Sequence, residues 1–178
     1  VANMGVFRQL VRPPARLLAV VKANAYGHGL LLAAEAFLAG GADLLGVHSL
    51  DEAARLRDGG FTCPIIILGP VTGGQAVQAA RLGVEITVPS LAAARDLAGQ
   101  ADHLNGPLPV HLKVETGVNR QGVVEEEMEA VLGLLGSLPT VELVGLSSHF
   151  ADIEDTTDHT FAHRQMDRFR NYRRMLAA

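Results

Sequence analysis

Short apolar runs alternate along the chain with longer segments in which apolar residues recur at helical spacing. The runs predict six β-strands, each followed by a helical segment. The predicted strands span residues 17–22, 42–47, 64–68, 84–88, 110–114 and 141–147. Strands that are apolar on both faces and separated by helices are typical of a parallel sheet built from βα units. The pattern therefore predicts an α/β fold.

The predicted helices are rich in Ala, Leu, Glu and Arg, residues that favour helix formation. They span residues 30–38, 50–57, 74–82, 91–97, 125–135 and 161–178. Glycine follows several of them, as expected where helices end, but no such stop follows the last one. The chain also begins with Val1 rather than Met. We therefore expect both ends to continue in a longer protein.

Six βα units, spaced by roughly 20 to 30 residues, fit a (β/α)8 TIM-type barrel of which about six units are present. A Rossmann sheet fits less well, because no G-x-G-x-x-G motif follows the first strand. A barrel that lacks two strands exposes unpaired strand edges, which natural proteins avoid. Residues 1–178 are accordingly interpreted as a partial barrel domain.

Composition and charge limit the classes of partner. The 178 residues are 48% hydrophobic and 19% charged, as in ordinary globular domains. A net charge of -4 without a basic run argues against binding to nucleic acid or anionic membranes. No run of about 20 apolar residues and no signal peptide is present. These features favour a cytoplasmic protein that acts on a small molecule, and the single cysteine, Cys63, is interpreted as core packing rather than as a nucleophile.

The carboxyl ends of the strands are the positions where a βα barrel builds its active site. The first strand ends in Lys22, directly after a buried apolar run. Loss of hydration disfavours an ammonium group there, and a neutral amine can attack an aldehyde to form a Schiff base. The alternative is a lysine whose charged end simply reaches solvent at the end of a strand.

Three segments resemble the conserved blocks of the alanine racemase family. Residues 19–29 read Ala-Val-Val-Lys-Ala-Asn-Ala-Tyr-Gly-His-Gly, which resembles the family's sequence around its cofactor lysine. Residues 111–122 and 145–151 resemble the second and third blocks. The resemblance implies a (β/α)8 barrel that binds pyridoxal 5'-phosphate, followed in the family by a mostly β C-terminal domain that this chain lacks. It also implies active sites that are completed across a homodimer.

The resemblance assigns a role to five residues. Lys22 holds the cofactor covalently and acts as one of two catalytic bases, and Tyr26 donates its hydroxyl to the cofactor phosphate. Arg120 contacts the cofactor's phenolic oxygen and the substrate carboxylate, a task that suits a guanidinium group. His149 lies beneath the cofactor ring, and Lys113 matches a lysine that is often carbamylated to N6-carboxylysine. The alternative for Arg120 is a surface arginine, and a single histidine at a strand end, such as His149, is as often merely packed.

The activity implied is that of an isomerase, an amino-acid racemase that interconverts L-alanine and D-alanine and so supplies D-alanine for the peptidoglycan of the cell wall. Racemisation needs two bases, and in the family the second is a tyrosine from the C-terminal domain of the partner subunit. Tyr26 and Tyr172 are the only tyrosines here, and neither matches it. We therefore expect a fragment that lacks the second base.

Other functions remain open at this point. One is a non-catalytic, single-domain protein of pyridoxal-phosphate homeostasis, although such a carrier would lack the block from Lys113 to Arg120. Two more are a phosphate-binding lyase and an amino-acid decarboxylase of the same barrel type. Serine or another small amino acid could replace alanine as the substrate.

An acidic stretch near the last helix could suggest a metal site, since carboxylate and imidazole are common ligands. Its residues are Asp152, Glu154, Asp155 and Asp158, with His149, His159 and His163 nearby. We favour a solvated loop without metal, because acidic residues commonly precede a helix and Thr160 could cap this one.

Overall fold

The computed structural model of the chain describes residues 2–154 and 157–177. In that part of the chain, six strands form a parallel sheet in the order β1-β2-β3-β4-β5-β6, so each strand pairs with its neighbours in sequence. The strands are β1 (Leu18–Val20), β2 (Leu44–Val47), β3 (Ile65–Ile67), β4 (Glu85–Val88), β5 (Leu108–Lys113) and β6 (Val141–Ser147). The arrangement confirms the predicted α/β fold and the partial barrel.

Helices alternate with these strands. They are α1 (Ala2–Leu10), α2 (Leu30–Ala39), α3 (Leu50–Asp58), α4 (Gly73–Leu82), α5 (Leu91–Ala98), α6 (Met128–Gly136) and α7 (Thr160–Ala177). The sequence did not predict α1, which buries only Met4. The predicted helix at 125–135 begins with a separate 3-10 turn, Glu125–Glu127. The other predicted helices form, with ends that shift by a residue or two.

The two faces of the sheet differ, and β5 shows this most clearly. Leu108, Val110 and Leu112 are fully buried, whereas the alternating Pro109, His111 and Lys113 are half-buried. Side chains alternate across a strand, so the first set packs beneath the helices and the second faces the barrel interior. The interior face therefore carries the polar groups of β5 toward the cleft described below.

At the amino ends of the strands, Arg57 joins two segments of backbone. Its guanidinium donates to the carbonyls of Phe61 at 2.7 Å and Cys63 at 2.9 Å, just before β3. It also donates to Leu82 at 3.0 Å and Gly83 at 2.9 Å, before β4. The thiol of Cys63 packs against the core as predicted, and burial raises its pKa. Arg57 thus connects the backbone before β3 with the backbone before β4, and each of its three guanidinium nitrogens donates a hydrogen bond.

Inside the barrel, His111 and Glu85 form a side-chain pair at 2.5 Å. Gly145 on β6 lies beside the histidine, and a Cβ at that position would collide with the imidazole ring. Glycine is therefore required at position 145 to let the ring lie across the sheet.

Helix α7 holds the loops that follow β5 and β6. The side chain of Gln165 is fully buried and makes two hydrogen bonds of 2.8 Å with the backbone of Ala151, one as donor and one as acceptor. Arg168 donates to the carbonyl of Thr116 at 3.1 Å, and the hydroxyl of Tyr172 donates to the carbonyl of Glu115 at 3.1 Å. These contacts fix the two loops relative to each other.

The start of α7 differs from the prediction. Thr160 lies within the helix, and the carboxylate of Asp158 accepts from its backbone amide at 2.6 Å. Asp158 thus supplies the acceptor expected from Thr160, because its carboxylate reaches the backbone amide two residues further along the chain. Asp152, Glu154 and Asp158 are exposed, as expected for a solvated loop, whereas Asp155 lies outside the described residues. Among residues 2–154 and 157–177, no helix has both the length and the apolar character to cross a bilayer.

Candidate active site

A cleft of about 460 Å³ opens at the carboxyl ends of the strands. All five residues singled out from the sequence line it: Lys22, Tyr26, Lys113, Arg120 and His149. These side chains come from the loops after β1, β5 and β6 and from the end of β5 itself. The chain has only two lysines, and both lie in this cleft.

Lys22 begins a turn of unusual backbone conformation. Residues 23–26 have φ angles of 54°, 55°, 54° and 53°, so four consecutive non-glycine residues are left-handed. For an L-residue this conformation costs roughly 1–2 kcal/mol. The turn shortens β1, which we predicted to continue through Lys22 but which ends at Val20. Tyr26, the last residue of the turn, is 64% exposed and lines the cleft.

Arg120 is carried by a loop that leaves β5 and returns to it. Val123 donates its amide to the carbonyl of Lys113 at 2.8 Å and accepts from the amide of Glu115 at 3.0 Å, which closes the loop. Gly122 has a φ of 153°, and a Cβ there would strike the backbone of Glu115. The closed loop projects Arg120 over the end of the strand that carries Lys113.

The cleft gathers positive charge without an acidic partner. The charged ends of the side chains of Lys22, Lys113 and Arg120 form no hydrogen bond or ion pair with the described residues. Burial lowers the pKa of Lys113, and the charges of Arg120 and Lys22 lower it further, with a small opposing effect of Glu115. Such a site is suited to anions, since phosphate and carboxylate groups bind guanidinium and ammonium groups strongly.

His149 experiences the same environment. Burial has the largest effect and lowers the pKa of His149. The charges of Arg120, Lys113 and Lys22 lower this pKa further, whereas Glu154 raises it. The imidazole is therefore kept neutral to a lower pH than usual. A neutral imidazole is able to stack against a planar ring or to accept a hydrogen bond.

The cleft also contains polar residues to which the sequence assigned no role. They are His48, Thr87, Gln121, Ser147 and Ser148. His48 and the two serines stand at strand ends, so the rule that led to Lys22 could have identified them. Thr87 lies within an apolar strand and Gln121 within the loop after β5, and the strand-end rule points to neither position. In the described ranges, no group of three or more His, Cys, Asp or Glu residues is placed to hold a metal ion.

Comparison with known proteins gives a consistent result over the entire chain. Residues 1–178 match the family model described as alanine racemase, N-terminal domain. Alanine racemase from Methanococcus maripaludis is 35% identical over 171 residues, which cover 96% of this chain and 46% of that protein. The chain thus spans about half the length of such relatives.

Solved structures agree in fold. Alanine racemase from Bacillus anthracis with bound L-Ala-P superposes with a TM-score of 0.88 at 31% identity, over 96% of this chain and 44% of that one. Histidine racemase from Leuconostoc mesenteroides superposes with a TM-score of 0.86 at 29% identity, over 95% of this chain and 45% of that one. The chain belongs to the alanine racemase N-terminal domain family.

Proposed function

We propose that this chain is the cofactor-binding part of a pyridoxal-phosphate-dependent racemase that interconverts L-alanine and D-alanine. The observation that carries the proposal is the cleft itself, where an amine stands beside cations that have no acidic partner among residues 2–154 and 157–177. Membership of the family supports the choice of reaction. The relatives are about twice as long, so the activity proposed is that of the longer protein to which such a chain corresponds.

The residues present fit pyridoxal phosphate. The cofactor carries an aldehyde, a dianionic phosphate and a phenolate, and the cleft offers a lysine amine and two further cations for them, Lys113 and Arg120. Lys22 would hold the aldehyde carbon, Tyr26 would donate its hydroxyl to the phosphate, and Arg120 would serve the phenolic oxygen and the substrate carboxylate. The neutral imidazole of His149 would lie against the ring. When bound, the cofactor would supply an electron sink that weakens the α-C–H bond of the amino acid.

Lys22 would move the proton on one face of the substrate. Its amine removes the α-proton and can return one to the same carbon, so it completes half of a racemisation. The opposite face needs a second base. Tyr172 is 5% exposed and its hydroxyl already donates to the carbonyl of Glu115, so it is unavailable for this role. We therefore assign the second base to a tyrosine of a partner subunit in a homodimer.

Lys113 fits the carbamylation that the family resemblance implies. A lowered pKa enlarges the neutral fraction of its amine, which can add to carbon dioxide with formation of an N–C bond and release of one proton. The product is an anion. It would lie next to Arg120, where it would supply the missing acidic partner and fix the guanidinium.

The same proposal covers the domain organisation and the cellular location of the longer protein. Residues 1–178 form a partial barrel domain, and the remaining barrel units and a mostly β domain belong to the longer protein. We place that protein in the cytoplasm, where it would supply D-alanine for peptidoglycan. A non-catalytic carrier is less well supported, because it would lack the block from which Lys113 and Arg120 line the cleft. A decarboxylase and a lyase are less well supported, because the relatives that cover this chain are alanine racemases.

The amino acid that is racemised is the open part of the proposal. A histidine racemase shares this fold at nearly the same similarity as the alanine racemases, so the barrel does not by itself determine the side chain accepted. Serine and histidine are therefore the substrates to compare with alanine.

Exchange of the α-proton tests the proposal with the base that this chain contains. The chain is incubated in D2O with pyridoxal phosphate and L-alanine, and deuterium at the α-carbon is followed by NMR. We expect exchange that exceeds free cofactor and is lost in Lys22→Arg, which keeps the charge but cannot form the covalent link. Cofactor binding without any exchange above the free cofactor would contradict the proposed reaction.

A further inference from the structure

The turn that carries Lys22 needs support from its surroundings. Non-glycine residues in the left-handed region are disfavoured by contacts between Cβ and the carbonyl oxygen, and such segments persist only where neighbouring structure holds them. Part of this support is local. The side-chain oxygen of Asn24 accepts from the backbone amide of Leu30 at 2.9 Å, and the backbone carbonyl of Asn24 accepts from the backbone amide of Gly29 at 3.0 Å.

Support from outside the turn comes from Glu52, on the next βα unit. One carboxylate oxygen accepts from the amide of Ala23 at 2.6 Å. The other accepts from the amides of His48 at 2.7 Å and Ser49 at 3.3 Å. Ala23 directly follows Lys22, and the side chain of His48 lines the cleft. The two oxygens of a single carboxylate thus connect the lysine turn to the neighbouring loop.

Capping of the helix does not by itself require this arrangement. Helix α3 begins with a capping box made by Ser49 and Glu52, and α4 begins with the same box made by Thr72 and Gln75. The amide oxygen of Gln75 accepts from Thr72 at 3.0 Å and, within the described residues, bonds to no other loop. A single acceptor oxygen therefore satisfies the cap. The second carboxylate oxygen of Glu52 is therefore free to accept a hydrogen bond from the amide of Ala23.

We propose that Glu52 is a positioning residue, which holds the left-handed turn so that the amine of Lys22 points into the cleft. The inference rests on the proposed function, in which that amine carries the cofactor. Without the carboxylate, the turn relaxes to a conformation that its residues prefer, and the amine is displaced from its place in the cleft. The rate of covalent attachment then falls, although the barrel remains folded.

Two substitutions separate positioning from capping. Glu52→Gln keeps the shape of the side chain, but one acceptor oxygen becomes an NH2 group that faces a backbone donor. Glu52→Asp keeps the negative charge at the helix amino terminus but retracts the carboxylate by about 1.5 Å, beyond reach of Ala23. Gln75→Ala is the matched control, because it removes a capping box that has no contact with the lysine turn.

The readout is the initial rate at which pyridoxal phosphate and borohydride label Lys22, measured by peptide mass spectrometry and normalised to the total amount of the peptide that contains Lys22. Each variant's thermal unfolding midpoint is recorded alongside. We expect the Lys22 rate to fall roughly tenfold in Glu52→Gln and Glu52→Asp, as for loss of a hydrogen bond to a charged group. We expect no change in Gln75→Ala, although its unfolding midpoint falls.

Three results would overturn the inference. An unchanged Lys22 rate in both Glu52 variants would leave Glu52 as a helix cap only, with the proposed function intact. A fall of equal size in Gln75→Ala would show that labelling follows stability and not the contact with Ala23. Absence of label on Lys22 in the unmodified chain would overturn the proposed function, and this inference with it.

Discussion

Cations at the two ends of the strands differ in their partners. The amino ends of the strands together form what we call the amino edge of the sheet, and the carboxyl ends form the carboxyl edge. At the amino edge, the guanidinium of Arg57 donates to four backbone carbonyls, and Arg8 pairs with Asp43 at 2.5 Å. At the carboxyl edge, Lys22, Lys113 and Arg120 have no such partner among the described residues. Charge that is satisfied internally contributes to stability, whereas charge left unsatisfied in a cleft is available to a ligand. The same residue types therefore serve the fold at one edge and binding at the other.

The largest effect is expected at the amino edge. Arg57→Met keeps much of the aliphatic stem but removes four hydrogen bonds, which leaves carbonyls before β3 and β4 without their donor. We expect the free energy of unfolding to fall by roughly 2–3 kcal/mol, as for loss of buried charged donors. Urea denaturation followed by circular dichroism measures this change. If Arg57→Met and the unmodified protein unfold at the same urea concentration, the stability of the amino edge does not depend on Arg57.

The same substitution at the carboxyl edge sharpens the comparison. Arg120→Met removes a cation that has no acceptor and that repels Lys113, so we expect the free energy of unfolding to stay within about 0.5 kcal/mol of the unmodified value. Affinity for pyridoxal phosphate should instead fall roughly tenfold, from loss of a charge-assisted contact. Parallel denaturation and absorbance titrations test both parts. A strongly destabilised variant with unchanged affinity would reverse the assignment of the two edges.

The smallest effect expected is one of pH. Burial and the cations of the cleft lower the pKa of His149 below its usual 6.5, so the unfolded chain binds a proton more readily than the folded chain between the two values. This contribution to stability therefore decreases as the pH falls from 6.5 through the lowered pKa. We expect the unfolding midpoint of His149→Asn to decrease less over that window. Parallel curves for the two proteins would contradict the electrostatic description of the cleft.

The sequence predicted the regular parts of the fold well, because apolar runs such as Ile65–Ile67 are buried on both faces and have few alternatives. The strand-end rule identified Lys22, and the family resemblance identified the other four residues of the cleft: Tyr26, Lys113, Arg120 and His149. The left-handed turn could not be predicted, since the alanines at 23 and 25 carry no preference for that conformation. The contact of Glu52 with Ala23 joins residues 29 positions apart, and the four acceptors of Arg57 come from two loops. Such contacts depend on tertiary structure that local patterns do not encode.

The scarcity of lysine makes the central claim directly testable. Lys22 and Lys113 are the only lysines, both line the cleft, and the pKa of Lys113 is lowered by burial and by its neighbours, so each is a chemically reasonable partner for an aldehyde. The chain is incubated with pyridoxal phosphate, reduced with borohydride and mapped by peptide mass spectrometry. The account predicts that the phosphopyridoxyl group is found selectively on Lys22. Label on Lys113 alone, or on neither lysine of a chain that circular dichroism shows to be folded, would contradict it.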